Sequence, residues 1–188
     1  MQLVLGSASP YKQALLREAG YDFTVAAADI NEDQFLQATV AETVRVIAQE
    51  KARVLLSQYV QSDTVIITAD VVGELDGQYL GKPASLEQAR QWLHAYSGRV
   101  VHIWCGTTLA QARTNKIITD VRCADVLFGE LSTEQVETYL SETQPLDKGG
   151  ALAIEEAERR GWVKTITGEY AAIIGLSLEF IKQRIPQR

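Results

Sequence analysis

LVLGSASPYKQALL, residues 3–16, is the stretch around which the rest of the chain is read. Leu3, Val4 and Leu5 form a short apolar run that suits a buried strand. Gly6-Ser7-Ala8-Ser9 is then a tight turn of small residues, and Ser9-Pro10 reads as an N-cap followed by proline at the first helical position. The helix so opened carries Leu15 and Leu16 and stops before Gly20. A strand, a small-residue turn and a capped helix start gather backbone N–H groups and the Ser7 and Ser9 hydroxyls at one point, which attracts phosphate or carboxylate. Lys12, in the first helical turn, adds a positive charge there. The same features also describe an ordinary strand–turn–helix start. The spacing is neither that of a P-loop nor that of the three-glycine dinucleotide fingerprint.

The 188 residues suffice for one domain, or one domain of two lobes, with a full core. A formal net charge of -6 argues against general binding of nucleic acid or an anionic membrane. An anionic small substrate stays open, because local lysines and a metal decide that. No apolar run approaches the roughly 20 residues of a membrane-spanning helix, and the N-terminus has neither a basic n-region nor a signal-peptide core. Cys105 and Cys123 make no disulfide framework and fit a reducing compartment. The expected location is the cytoplasm.

Further along, residues 23–27 read as a second strand leading into an acidic loop, 29–33, that contains Glu32 and suits solvated surface. Residues 43–56 form an amphipathic helix with Val44, Ile47, Ala48 and Leu55 on its apolar stripe. Lys51 falls on that stripe, so it either snorkels to the edge or points into a cleft. TVIITA, residues 64–69, is β-branched and apolar without alternation, as suits a central strand covered on both faces. Asp70 at its end needs a partner if ionised, and ligands bind at such strand ends in α/β sheets.

Residues 74–79 read as a hairpin with an Asp76-Gly77 type I′ turn, and Gly81-Lys82-Pro83 holds Lys82 in a constrained loop. Ser85 with Gln88, and Ser132 with Gln135, are capping boxes opening helices to about Tyr96 and Leu140. Two long strands, 100–110 and 117–127, lie between those helices. The loop 145–150, with Lys148 and Gly150, is another phosphate-side element, followed by short strands at 151–154 and 162–166 and a helix at 178–185. His94 and His102 stand apart from each other and from any Cys or carboxylate at ligand spacing, and both read as structural.

Taken in order, Ser7–Pro10, Glu50-Lys51-Ala52, Ala69-Asp70-Val71-Val72, Gly81-Lys82-Pro83, Ser97-Gly98, Asp147-Lys148-Gly149-Gly150 and Gly168–Leu176 resemble the Maf family of nucleotide pyrophosphatases, also described as septum-formation inhibitors. The resemblance spans nearly the whole chain. It implies an α/β fold with an elongated mixed sheet flanked by helices, two lobes around a central cleft, and a homodimer. It also implies hydrolysis of a nucleoside triphosphate to the monophosphate and pyrophosphate. Asp70 matches the family's catalytic acid, with Ser7, Glu32, Lys51 and Lys82 at cleft positions. The chemistry suits those residue types. Asp70 can deprotonate a water, Lys51 and Lys82 can hold phosphate oxygens, and Glu32 with Asp70 can supply oxygen ligands to Mg²⁺ or Mn²⁺. Ser9, Lys12, Lys148 and Gly150 complete the candidate substrate contacts.

Three positions bear on the base. Tyr11, Val71 and Glu155 stand where the branch acting on dTTP and UTP has arginine, threonine and glutamine. Tyr11 and Glu155 resemble a sister branch that acts on 7-methyl-GTP, and Val71 matches neither. An aromatic face suits a cationic methylated guanine, and a carboxylate can accept from guanine N1–H and its amine. The sequence reading therefore expects a modified purine triphosphate. Its alternatives are a dTTP/UTP pyrophosphatase or a non-catalytic nucleotide-binding regulator of cell division.

Overall fold

The computed structural model describes residues 1–60 and 62–186. Its described residues form one mixed sheet flanked by helices, in the spatial order β2-β1-β3-β5-β6-β7 with β4 attached to β3. In chain order the elements begin with β1 (Gln2–Leu5), α1 (Pro10–Glu18), β2 (Thr24–Val25), α2 (Val40–Leu56), β3 (Thr64–Leu75), β4 (Gln78–Leu80) and α3 (Leu86–Tyr96). There follow β5 (Val100–Gln111), β6 (Lys116–Phe128), α4 (Thr133–Glu142), α5 (Ile154–Arg159), β7 (Val163–Thr167), α6 (Tyr170–Ile174) and α7 (Leu178–Arg184). β1 pairs in parallel with β2 and β3, because helices make those crossovers; the other pairs, β3 with β4 and β5, β5 with β6 and β6 with β7, are antiparallel. No helix among the described residues is long and apolar enough to cross a membrane.

Local chemistry sets most of the boundaries. Ser9 caps α1 with Pro10 at its first position, Ser85 caps α3, and Ser132 and Gln135 make a reciprocal capping box on α4. Asp76 and Gly77 both have positive φ, 55° and 76°, as the type I′ turn of the β3–β4 hairpin requires. α2 starts earlier than expected, at Val40, because Thr39 accepts from the Glu42 N–H; Thr43 is interior and buried. Only Thr24–Val25 of the second strand pairs, since β1 is too short to support more.

Two departures matter for the site. The TVIITA strand does not end at Ala69: β3 runs on to Leu75, because β5 continues to pair with it through Glu74. Asp70 is nevertheless at an end, that of β1, whose last pairing with β3 is Leu5 with Ile67. The expected strand at 151–154 is absent from the described structure. Gly149–Ala151 is a 3₁₀ turn leading into α5, and its carbonyls are taken by tyrosine hydroxyls rather than by a ladder. Tyr96 donates to Gly150 O at 2.8 Å and Tyr139 to Ala151 O at 3.1 Å.

α2 lies directly on the sheet. A Cβ at Gly106 would sit 2.4 Å from the Val44 carbonyl oxygen, so only glycine admits the helix backbone there. Thr68 Oγ1 donates to the Ala48 carbonyl at 2.6 Å and fixes the same helix one turn further on. Gly106 is the register partner of Asp70. The glycine that seats α2 is thus opposite the aspartate that α2 covers.

Candidate active site

Asp70 is 6% exposed, an ionisable group nearly sealed under α2. Lys51, one turn past the Thr68-bound Ala48, reaches it: Nζ is 3.0 Å from Asp70 Oδ1 and 2.8 Å from Glu32 Oε1. Glu32 comes from the 3₁₀ turn Glu32–Phe35, so the acidic loop is drawn in and is not merely solvated surface. Burial pushes the Asp70 carboxyl above the usual aspartate range, against the pull of Lys51. Burial also opposes the charge on Lys51, but Asp70 and Glu32 outweigh it and hold the ammonium above the ordinary lysine range. The outcome is a proton-hungry carboxylate beside a firmly charged lysine.

Next to this trio is a cavity of about 400 Å³ whose lining includes Ser9, Tyr11, Lys12, Val71, Lys82, Lys148, Gly150 and Glu155. Its inner wall is apolar, with Val101, Ile103, Val126 and Phe128. Ser7, Glu32, Lys51 and Asp70 are outside that lining; Lys12 joins the two regions, since it lines the cavity and its charge feels Lys51 and Asp70. Burial, with Lys51 adding to it, holds the Lys12 ammonium below the usual lysine range. Among the described residues no acceptor lies within hydrogen-bond distance of that ammonium, and Gly175, where a Cβ would fall 2.5 Å from Lys12 Cε, leaves room for it. Ser9 Oγ accepts from the Lys12 N–H at 3.5 Å, and Ser7 Oγ from the Ser9 N–H at 3.3 Å. Both hydroxyls are thus partly engaged in the turn.

Other expected contacts are arranged differently. The Gly150 N–H donates to Gly81 O at 2.9 Å, so it ties two loops together and is not free for phosphate. Lys148 Nζ reaches Asp147 Oδ1 and Gln144 O, both at 2.7 Å. Lys82 is exposed on the cavity wall. Glu155 is in the first turn of α5, where a carboxylate is favoured by the helix dipole alone. Gly106, Thr68 and the Tyr96 and Tyr139 hydroxyls position the site without having been singled out; an isolated glycine in the apolar 100–110 strand was the one available signal.

The donor types of Glu32 and Asp70 fit a hard divalent cation, since both are carboxylates directed at one point, now bridged by Lys51. A second group of metal-capable atoms lies elsewhere, on His102, Cys123 and Asp125, within 4.8 Å of one another. His102 is therefore not isolated. The β5–β6 register sets it opposite Asp125, a proximity that separation along the chain conceals.

Comparison with known proteins decides the family. The family model described as Maf-like protein matches residues 2–187. The chain belongs to the Maf-like family. It is 34% identical to a dTTP/UTP pyrophosphatase of Acholeplasma laidlawii, over 97% of this chain and 94% of that one. It is 34% identical to that of Clostridium acetobutylicum, over 95% and 93%, and 31% identical to that of Thermotoga maritima, over 100% and 90%. A HAM1 protein from Coxiella burnetii superposes on this Maf-like chain with a TM-score of 0.42 at 19% identity, over 67% of this chain and 73% of that one.

These names overturn the leaning toward a 7-methyl-GTP branch: each of the three relatives above is a dTTP/UTP pyrophosphatase. Tyr11, 53% exposed at the start of α1, and Glu155, in the first turn of α5, both line the cavity.

Proposed function

We propose that this Maf-like protein hydrolyses a pyrimidine nucleoside triphosphate of the dTTP/UTP type to the monophosphate and pyrophosphate. The observation that carries the reading is the Glu32–Lys51–Asp70 cluster opening beside an unpaired Lys12. Water attacks the α-phosphorus as Asp70 takes its proton, and the bond to the pyrophosphate oxygen breaks. An Asp70 whose proton affinity is raised by burial is a better base than an exposed aspartate. Lys51 fixes Asp70 and faces the developing charge; Lys12 and Lys82 hold phosphate oxygens. A hard cation held by Glu32 and Asp70 would supply further charge neutralisation to the triphosphate when bound. The apolar wall of Val101, Ile103, Val126 and Phe128 receives the base and sugar. In the same reading the protein works as a homodimer of single-domain chains, which its mass in solution tests.

Released product distinguishes this reading from its rivals. Incubation with dTTP or UTP and Mg²⁺ should yield pyrophosphate. Orthophosphate would indicate a terminal phosphatase, and nucleotide binding without turnover a regulator.

A further inference from the structure

The polar row formed by His102, Cys123 and Asp125 is unused by the chemistry above. These residues meet through strand register. His102 on β5 is the direct partner of Asp125 on β6, and Cys123, two residues earlier, shares Asp125's face of the sheet. His102 Nδ1 is 2.7 Å from Asp125 Oδ1, Cys123 Sγ is 3.9 Å from the same oxygen, and the three donor atoms all lie within 4.8 Å of one another. They line an open recess with Glu74, Trp104, Thr167 and Gly168. Glu74 is the β3 partner of His102, and its carboxylate accepts the Trp104 indole N–H.

The geometry points to a second metal site, for a borderline divalent transition ion such as Zn²⁺, held by His102, Cys123 and Asp125. An imidazole, a sulfur and a carboxylate are the donors such an ion selects, whereas Mg²⁺ takes oxygens. Tetrahedral coordination with bonds of about 2.0–2.3 Å puts donor atoms about 3.3–3.8 Å apart. The observed separations straddle that range, so small side-chain rotations close the site. Three protein ligands leave a fourth position for water or for Glu74. Asp70 and Glu74 are four residues apart on one strand, about 13 Å at the usual rise, so this ion is separate from the hard-cation position at Glu32 and Asp70. Bound there, it cross-links β5 to β6 at the uncovered end of the sheet.

Co²⁺ is the probe. Metal-stripped protein in excess Mg²⁺, which occupies the carboxylate position, is titrated with Co²⁺ and followed by the near-ultraviolet thiolate-to-cobalt absorption and by thermal unfolding. Wild type should gain the absorption to one equivalent and unfold at higher temperature. Cys123→Ser should lose the absorption, His102→Ala and Asp125→Asn should each weaken Co²⁺ binding at least tenfold, and all three should keep pyrophosphate release with Mg²⁺ within about twofold. The readout does not depend on the proposed reaction. Absence of the absorption in wild type overturns the site. So does undiminished affinity in His102→Ala and Asp125→Asn, which would mean that the exposed thiol alone binds the metal.

Discussion

Asp70 and Glu74 occupy the same face of β3, yet α2 covers one and leaves the other open. Over Asp70 the helix supplies Lys51, excludes water and raises the carboxyl's hold on its proton. Glu74, half-buried and accepting the Trp104 indole N–H, has no helix over it among the described residues, and beside it an imidazole and a thiol, His102 and Cys123, join the Asp125 carboxylate in an open recess. One strand thus presents a buried carboxylate with a raised hold on its proton and, four residues later, another as part of a polar recess. The strand contributes position only; the covering element decides the chemistry.

The sharpest way to break the contrast is to remove the buried charge. Asp70→Asn should lower kcat for pyrophosphate release by about 10²–10⁴-fold with nucleotide binding kept, since a base is lost and shape is not. Steady-state kinetics and equilibrium binding on the folded variant check it; near-normal kcat would remove Asp70 from the mechanism.

Lys12→Met comes next. Loss of a charged partner for phosphate costs about 1.5–3 kcal/mol, or roughly 10–150-fold in kcat/KM. Stability should move the other way. Lys12 is held below its unfolded-state pKa, so its charged form is disfavoured by folding at any pH below that value, and methionine should hold or raise Tm at neutral pH. A fall in Tm with unchanged kinetics would make Lys12 a packing residue.

Gly106→Ala attacks the covering helix itself. The added methyl would meet the Val44 carbonyl oxygen at 2.4 Å, and overpacking of this kind costs about 1–3 kcal/mol. Denaturant unfolding should show that loss together with reduced turnover, because Lys51 moves with α2. Wild-type stability would mean that the helix seats without the glycine.

The smallest effect is expected at Glu155. Glu155 lines the cavity, and a pyrimidine base placed there would offer it two carbonyl acceptors and one N–H donor, so an amide could donate to one of those carbonyls. Glu155→Gln should raise kcat/KM for dTTP and UTP by well under about tenfold. An unchanged or lower value would leave Glu155 a helix-start residue only.

What could be read from the sequence was what is local. Ser9-Pro10, Ser132 with Gln135 and Asp76-Gly77 each act within a few residues and appear as expected; Ser85 caps α3, but the Gln88 side chain accepts from the Ala84 N–H and so does not close the expected box. Local spacing alone does not gather Asp70, Lys51 and Glu32; the family resemblance puts them in one cleft, and α2 lying on Gly106 brings them within 3.0 Å. The expected strand at 151–154 is absent because the Gly150 and Ala151 carbonyls accept hydroxyls from Tyr96 and Tyr139, 54 and 12 residues away, instead of ladder N–H groups. His102 looked solitary for the same reason: its partners lie across a strand pair. The base preference was not legible, because Tyr11 and Glu155 mark the cavity wall without fixing which base it receives, and the relatives named dTTP/UTP pyrophosphatases point the other way.

The central claim, that the buried Asp70 cluster cleaves a pyrimidine triphosphate at its α-phosphorus, is tested most directly by one product analysis. Purified protein with Mg²⁺ is given dTTP, UTP and 7-methyl-GTP separately, and nucleotide and phosphate products are quantified. The account predicts monophosphate and pyrophosphate in equal amounts, with kcat/KM higher for dTTP and UTP than for 7-methyl-GTP. Release of orthophosphate with a nucleoside diphosphate, or preference for 7-methyl-GTP, would contradict it.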